Sequence, residues 1–414
     1  MKKICVMGLG YIGLPTSCMF ANNGFEVLGV DIDKEIIGKL NSGKIHIDEP
    51  DLEEAFNEAI GNNKLKASLE AEPSDVYIIT VPTPLNGNKA ELKYVIDASR
   101  EIARHIVRDN IVILESTSPP GTTEDMVGKI IFRSSGLKPG KDYYLAFCPE
   151  RVLPGKIIRE LVNNDRIIGG VDEISGRKAK EIYDSFVKGD IYLTDLKTAE
   201  LVKLVENTFR DVNLAFSNEL SIICRDYDID VWKVIELANK HPRVNILNPG
   251  PGVGGHCIPI DPWFVIQNIN RENTLIEKCR YINDQMPIVV TKRIIDLVSD
   301  IKNPKIAIFG ASYKEDVADT RESPTKTICA ELSKNKVNFA VYDPIASDFN
   351  FKLSGLNDSV KDADLLVLLV GHNAFRDIDL KEVSSLMGKN RILDTRNFFD
   401  PELAEKNNFQ YYKI

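Results

Sequence analysis

Short apolar runs ending in polar or glycine-rich turns recur through the first half of the chain: KICVMG, FEVLGVD, DVYIITVPTP, NIVILESTSPPGTT, YYLAFCPERVLPG, DRIIGG and DIYLT. Runs that are apolar at consecutive positions suit strands covered on both faces. Helical stretches alternate with them, which predicts a doubly wound parallel sheet with ligands beyond the carboxyl ends of its strands. From about Thr198 to Tyr227 the pattern becomes one long helix without proline or glycine. At 1.5 Å per residue it runs about 45 Å, enough to connect two domains. Its apolar residues Leu201, Leu204, Val205, Phe209, Val212, Phe216, Leu220 and Ile223 occupy more than one face. That arrangement fits burial on two sides, with a subunit interface and a wholly internal helix both open. After Asn303 the α/β alternation returns in KIAIFGASYK, VNFAVYDP, DADLLVLLVG and NRILDTRNF.

The first strand leads into Gly8, Gly10 and Gly13, a GxGxxG turn opening a helix, and Asp31 ends the second strand 18 residues after Gly13. In register with both strands and the acid, this is a dinucleotide-binding signature. Gly8 permits the tight turn, Gly10 lets the backbone approach a pyrophosphate, and Gly13 lets helix and strand pack closely. The pyrophosphate then rests on the helix N-terminus. Asp31 accepts from a ribose 2′-hydroxyl and repels a 2′-phosphate, so the expected cofactor is NAD rather than NADP. Thr83, Thr117 and Glu150 each follow a predicted strand end. Each also has a plain reading, as turn or capping threonines and a surface acid.

The expected fold class is therefore α/β, with two Rossmann-like doubly wound domains joined by a long central helix, divided as 1–195, 196–300 and 301–414. The second α/β unit has only Gly310 in its first turn, with Lys314 nearby, so it lacks the pyrophosphate cradle and suits another anionic ligand.

Composition narrows the class of partner. A net charge of −9 over 414 residues leaves no basic footprint for nucleic acid or anionic lipid, while still permitting an anionic small molecule. The opening MKKICVMGLGYIGLP imitates a signal peptide, but the glycines and Pro15 interrupt its apolar core. No apolar run reaches the roughly 20 residues of a spanning helix. A cytoplasmic protein is expected, in which the seven irregularly spaced cysteines stay reduced. That argues against a disulfide at Cys257. No CxxC or HxxxH pair accompanies Cys257, so no metal site is expected.

Seven segments, GLGYIGLP, VPTP, EST, PER, ELVKLVEN, GGHCIPID and ASYKEDVADTRESP, occur in an order that resembles the UDP-glucose and UDP-N-acetylmannosamine dehydrogenase family across essentially the whole chain. The resemblance implies oxidation of a nucleotide sugar C6 hydroxyl to a carboxylate with two NAD. Cys257 is the implied nucleophile, a role that thiolate chemistry suits because a thioester hydrolyses readily. Lys203 and Asn207, four apart on the long helix, are implied stabilisers of developing oxyanions. Asp261 is implied to support Lys203 or order water, and its place before Pro262 also makes it a plausible N-cap. Glu150 and Thr117 match positions that hold or activate the hydrolytic water. The implied NAD contacts are Gly8, Gly10, Tyr11, Ile12, Gly13, Asp31, Thr83, Thr117 and Arg321. The implied substrate contacts are Glu150, Arg151, Val152, Lys203, Asn207, Arg243, Gly254, His256 and Lys314, with Arg243 lent to the neighbouring subunit of a homodimer.

Where UDP-glucose dehydrogenases continue PEFLxEG, this chain has PERVLPG, with Pro154 in place of the second acid. HPRVNILNPGPGVGGHC and DPWF also resemble the N-acetylmannosamine branch, with UDP-glucose and the UDP-N-acetyl-glucosamine and -galactosamine substrates as alternatives. A two-electron hydroxyacid or 6-phosphogluconate type dehydrogenase would share the first domain and long helix. It needs neither the GGHC loop nor the second α/β domain. A non-catalytic NAD-binding regulator would not need the catalytic residue types present here.

Overall fold

The computed structural model describes residues 2–414 and divides into two compact units. One comprises the chain up to Glu206 with Trp263–Ile269; the other comprises Asn207–Pro262 with Asn270–Ile414. The division falls inside the long helix, which runs Leu196–Asp226, 31 residues.

In the first unit, β1 (Lys3–Met7), β2 (Glu26–Val30), β3 (Leu65–Ser68), β4 (Val76–Ile79), a two-stranded hairpin of β5 (Leu85–Asn86) and β6 (Lys89–Ala90), β7 (Ile111–Leu114), β8 (Tyr144–Phe147), β9 (Arg166–Gly170) and β10 (Ile191–Asp195) follow in order. Apart from the hairpin they form one sheet in the order β10-β9-β8-β7-β4-β1-β2-β3. The order reverses at β1 and β4, which pair in parallel from Ile4↔Val76 to Met7↔Ile79 and open the crevice where a doubly wound sheet takes its ligand. Alternate residues explain the continuous apolar runs. Ile4, Val6, Ile78 and Ile113 enter one core, while Cys5, Met7, Tyr77, Ile79 and Leu114 enter the other. Both faces are covered, as helices on each side of a sheet require. Each fully buried Ile or Leu contributes roughly 1.5–3 kcal/mol.

The expectation of a parallel sheet needs one correction. β8 and β9 pair antiparallel, through Ala146↔Gly170 and Phe147↔Gly169, so β9 and β10 run opposite to the other six strands. The connection between them contains a loop and a helix of only seven residues, Ile157–Asn163. At about 10 Å that helix is too short for a full parallel return.

The second unit holds β11 (Lys305–Phe309), β12 (Asn338–Tyr342), β13 (Leu365–Leu368), β14 (Arg391–Asp394) and β15 (Gln410–Lys413), ordered β12-β11-β13-β14-β15 and parallel throughout. The helix Leu275–Leu297 starts from a reciprocal Thr274–Glu277 capping box and packs beside the C-terminal part of the long helix. Buried Arg280 joins the two helices through Asp211 at 2.5 Å, and Asn283 Nδ2 donates to the same carboxylate at 2.8 Å. Among the described residues, no helix is long and apolar enough to cross a membrane, and no cluster of three or more His, Cys, Asp or Glu could hold a metal ion.

Candidate active site

The glycine turn has the geometry a dinucleotide needs. Gly8 has φ +99°, and a Cβ there would press on the Thr80 carbonyl at 3.0 Å; a Cβ on Gly13 would collide with the Gly8 carbonyl. Gly10 has nothing within 4 Å of where a Cβ would lie, so no protein packing demands glycine there. Open space against the backbone suits a pyrophosphate. Thr80, which the sequence reading missed, fixes the turn: its Oγ1 donates to the Gly8 carbonyl at 2.8 Å and to that of Met7 at 3.0 Å. Asp31, just past β2, accepts from Leu9 N at 2.8 Å. Tyr11 is exposed and Ile12 half-buried at the start of the Gly13–Asn22 helix.

Thr83, Thr117 and Glu150 follow β4, β7 and β8, neighbours in the sheet, so all three lie along its carboxyl edge with the glycine turn. Glu150 is not a surface acid. Its side chain is only 7% exposed and its Oε2 lies 2.7 Å from the buried Arg166. Its Oε1 accepts from Arg151 N at 2.7 Å. The Arg151 guanidinium pairs with Glu206 at 2.6 Å, and Val152 packs on the first core.

Lys203 and Asn207 occupy successive turns of the long helix and are both buried. Glu200, one turn before Lys203, anchors that helix to the segment after Thr117. It accepts from Gly121 N at 2.5 Å, Thr123 N at 2.8 Å and Thr123 Oγ1 at 2.6 Å. In the second unit Asn207 Nδ2 donates to Asp261 Oδ2 at 2.5 Å, and Arg210 Nη2 donates to the side-chain oxygen Asn207 Oδ1. The short helix Asp261–Ile266 begins at Asp261, directly before Pro262, and the Asp261 carboxylate accepts from Asn207.

Cys257 alone among seven cysteines is exposed. Burial pushes the Cys5, Cys18, Cys148 and Cys329 thiols up to about 12, which leaves them protonated and inert. The Cys257 carbonyl accepts from Ile260 N and Asp261 N, at 3.1 and 2.9 Å, closing a turn that leads into the helix. The neighbouring glycines allow close packing. A Cβ on Gly254 would lie 2.6 Å from the Glu322 carbonyl, and one on Gly255 (φ +88°) 2.8 Å from the Tyr313 ring. They seat the cysteine loop against the segment Ala311–Glu322, and Gly255 N donates to the Arg321 carbonyl at 3.3 Å. Tyr313 was not singled out from the sequence; an aromatic inside ASYKEDVADTRESP was the available signal.

The same segment carries half-buried Lys314 and places Arg321 against Asp319 at 2.6 Å. Its fold depends on Asp343, whose buried carboxylate accepts from Ala311 N, Ser312 N and His372 Nε2, at 2.7, 3.1 and 3.1 Å. Those donors hold the Asp343 carboxyl well below its ordinary range despite burial. Burial first, then the Arg321 charge, push the His256 imidazole below its ordinary pKa. Arg243 is exposed, its guanidinium 3.5 Å from its neighbour His241.

Comparison with known proteins decides the family. Residues 2–187 match the NAD binding domain of the UDP-glucose/GDP-mannose dehydrogenase family, 197–285 its central domain and 307–401 its UDP binding domain. The chain belongs to this family. A UDP-N-acetyl-D-mannosamine dehydrogenase of Methanococcus vannielii is 46% identical over 99% of this chain and 96% of its own. An NDP-N-acetyl-D-galactosaminuronic acid dehydrogenase of Ralstonia nicotianae is 42% identical over 96% of each chain. The solved UDP-D-ManNAc dehydrogenase of Pyrococcus horikoshii superposes with a TM-score of 0.93 at 41% identity, covering 100% of this chain and 99% of that one.

In this UDP-glucose/GDP-mannose dehydrogenase family member, the glycine turn, Asp31, Thr83, Thr117 and Glu150 fall in the NAD binding domain. Lys203, Asn207, Arg243, Cys257 and Asp261 fall in the central domain, and Lys314 and Arg321 in the UDP binding domain.

Proposed function

We propose that the chain oxidises the C6 hydroxyl of UDP-N-acetyl-D-mannosamine to the carboxylate, using two NAD. The exposed Cys257 on its glycine-shaped loop, as against six buried thiols, is the observation that carries the mechanism. The substrate rests on full-length similarity to the Methanococcus enzyme and on Pro154 in PERVLPG.

Bound at the glycine turn, NAD supplies a hydride acceptor for each oxidation. The chain's groups do the rest. Cys257 adds to the aldehyde carbon as thiolate, giving a thiohemiacetal whose further oxidation leaves a thioester on sulfur. Lys203 and Asn207 supply a cation and an amide donor to the oxyanions, and Asp261 orients the Asn207 amide. Glu150 and Thr117 serve the hydrolytic water. Lys314 takes the diphosphate, Arg321 contacts NAD, and Arg151, Val152, Gly254 and His256 line the sugar nucleotide.

The protein acts as a cytoplasmic homodimer in which Arg243 completes the partner's substrate site. Support comes from an exposed apolar stripe at helical spacing on the long helix: Leu201, Val205, Phe209, Phe216 and Ile223. The deciding experiment incubates the protein with NAD and a panel of UDP-sugars while NADH is recorded. Two NADH per UDP-N-acetylmannosamine, with slower turnover of the glucose, N-acetylglucosamine and N-acetylgalactosamine compounds, is expected. One NADH per sugar would replace this reading with a two-electron dehydrogenase.

A further inference from the structure

Behind Glu150 lies a buried charged cluster that the reaction as described does not use. The Arg166 side chain is 4% exposed and sits between two carboxylates: Nη2 lies 2.7 Å from Glu150 Oε2, and Nη1 lies 3.7 Å from Glu115 Oε1. Its guanidinium stacks over the Tyr183 ring at 4.8 Å and near Phe186 at 5.6 Å, which fixes the plane of the fork. Tyr183 donates its hydroxyl proton to Glu115 Oε1 at 2.6 Å, while Glu115 Oε2 is buried without a hydrogen-bond partner. Arg166 Nη1 also reaches the Cys148 sulfur at 3.7 Å.

Two acids and one cation, all buried, make a poor stabilising device. Desolvation of such groups commonly offsets their attraction, and apolar residues of similar size would serve the core as well. What the cluster does supply is a defined direction for one carboxylate. Glu150 stands at the carboxyl edge of the sheet, with Oε1 accepting from Arg151 N and Oε2, buried and without a hydrogen-bond partner, held by charge 2.7 Å from Arg166 Nη2.

We propose that Arg166 is a positioning residue for release of the acid, its guanidinium shared between Glu150 and Glu115 so that Glu115 sets how firmly Glu150 is held. The proposal rests on the reading of Glu150 as the group that serves the hydrolytic water. In that step water gives its oxygen to the acyl carbon and a proton to Glu150, and the C–S bond breaks with its electron pair passing to the Cys257 sulfur. Arg166 keeps the receiving carboxylate oriented and countered by charge. Burial, partly opposed by Arg166, pushes the Glu115 carboxyl up to about 7, so its charge changes near neutral pH. Below that pH the fork serves Glu150 alone; above it two anions share the fork. The other titratable groups facing the cluster stay neutral throughout, because burial raises both the Cys148 thiol and the Tyr183 hydroxyl.

Rapid mixing of the full-length protein with NAD and UDP-N-acetylmannosamine, with intact-protein mass spectrometry, tests this in Arg166→Lys, Glu115→Gln and Glu150→Gln. Lysine keeps the charge and loses the fork. Arg166→Lys and Glu150→Gln should each give a burst of two NADH per subunit and a mass of acyl-enzyme on Cys257. Steady turnover should then be slower by about tenfold or more, a part of the usual general-base factor, with KM for the sugar falling alongside kcat so that kcat/KM is little changed. The natural protein should show an inflection near pH 7 in its acyl-release rate that Glu115→Gln lacks. If Glu150→Gln accumulates acyl-enzyme and Arg166→Lys does not, the reading of Glu150 stands and the proposal is overturned. If neither accumulates it, both fall. Should Arg166→Lys fail to fold, the pH profile decides, and superimposable profiles for Glu115→Gln and the natural protein overturn the proposal.

Discussion

Asn207 and Asp261 are bound side chain to side chain at 2.5 Å, which ties the long helix to a residue four positions beyond Cys257. Asp261→Asn keeps an oxygen to accept that bond and removes the charge. It should therefore melt close to the natural protein yet turn over at least about tenfold more slowly. Asp261→Ala, which leaves the buried Asn207 amide without its acceptor, should in addition cost about 1–3 kcal/mol. Thermal melts beside NADH assays separate the two effects, and equal melting losses for both variants would contradict the account.

Cys257→Ala should fold and bind NAD, because the side chain is exposed and its removal disturbs little packing. Net acid formation should collapse, and no covalent adduct should form. Cys257→Ser should stall as an ester, since an alkoxide leaves less readily than a thiolate. Mass spectrometry should find an adduct on serine and none on alanine. Uronate production by Cys257→Ala near the natural rate would remove the covalent mechanism.

Asp31 holds Leu9 N in the glycine turn at 2.8 Å, and its charge is the proposed ground for rejecting a 2′-phosphate. Asp31→Ala should therefore weaken NAD while narrowing the preference over NADP, with kcat/KM for NAD falling by roughly tenfold, the worth of one charged hydrogen bond. Steady-state assays with both cofactors measure this; an unchanged ratio would show that Asp31 does not discriminate.

Glu115 makes stability depend on pH. Its carboxyl is raised from 4.5 to about 7 in the folded protein, so between those values the folded chain keeps a proton that the unfolded chain has lost. Ionising it therefore erodes stability as pH rises from about 4.5 to 7, by up to about 3 kcal/mol at roughly 1.4 kcal/mol per unit. Glu115→Gln lacks this loss, and its melting temperature relative to the natural protein should climb between pH 5 and pH 8. A pH-independent difference would place the ionisation elsewhere.

Phe209 is 67% exposed on the long helix, so Phe209→Glu should leave the subunit folded. It should lower the sedimenting mass from dimer to monomer and reduce activity at low protein concentration. An unchanged dimer would move the contact off this stripe.

Much of the fold was legible because its signals are local. The GxGxxG turn, the apolar runs and the proline-free stretch from Thr198 carry their own periodicity, and Asp31 falls at a fixed distance from Gly13. Strand direction is not local, which is why β9 and β10 escaped detection as reversed strands. Cys257, Lys203 and Asn207 stood out through motif and spacing. Arg166, Glu200 and Tyr313 did not, because each matters only through partners far along the chain: Arg166 and Glu115 are 51 positions apart, Glu200 and Gly121 are 79. The Asn207–Asp261 bond was not legible for the same reason, since it joins positions 54 apart, whereas Asp before Pro reads locally as a capping pattern.

The close seating of Gly254 and Gly255 on Glu322 and Tyr313 has a practical consequence for engineering. The cysteine loop cannot be transplanted as a cassette. A donor loop with any larger residue at those positions would be displaced by the aromatic ring and the carbonyl beneath it, carrying the thiol with it. Chimaeras meant to alter sugar preference must move residues 250–257 and 311–322 as one block, and libraries that vary one segment alone will sample mostly misplaced thiols.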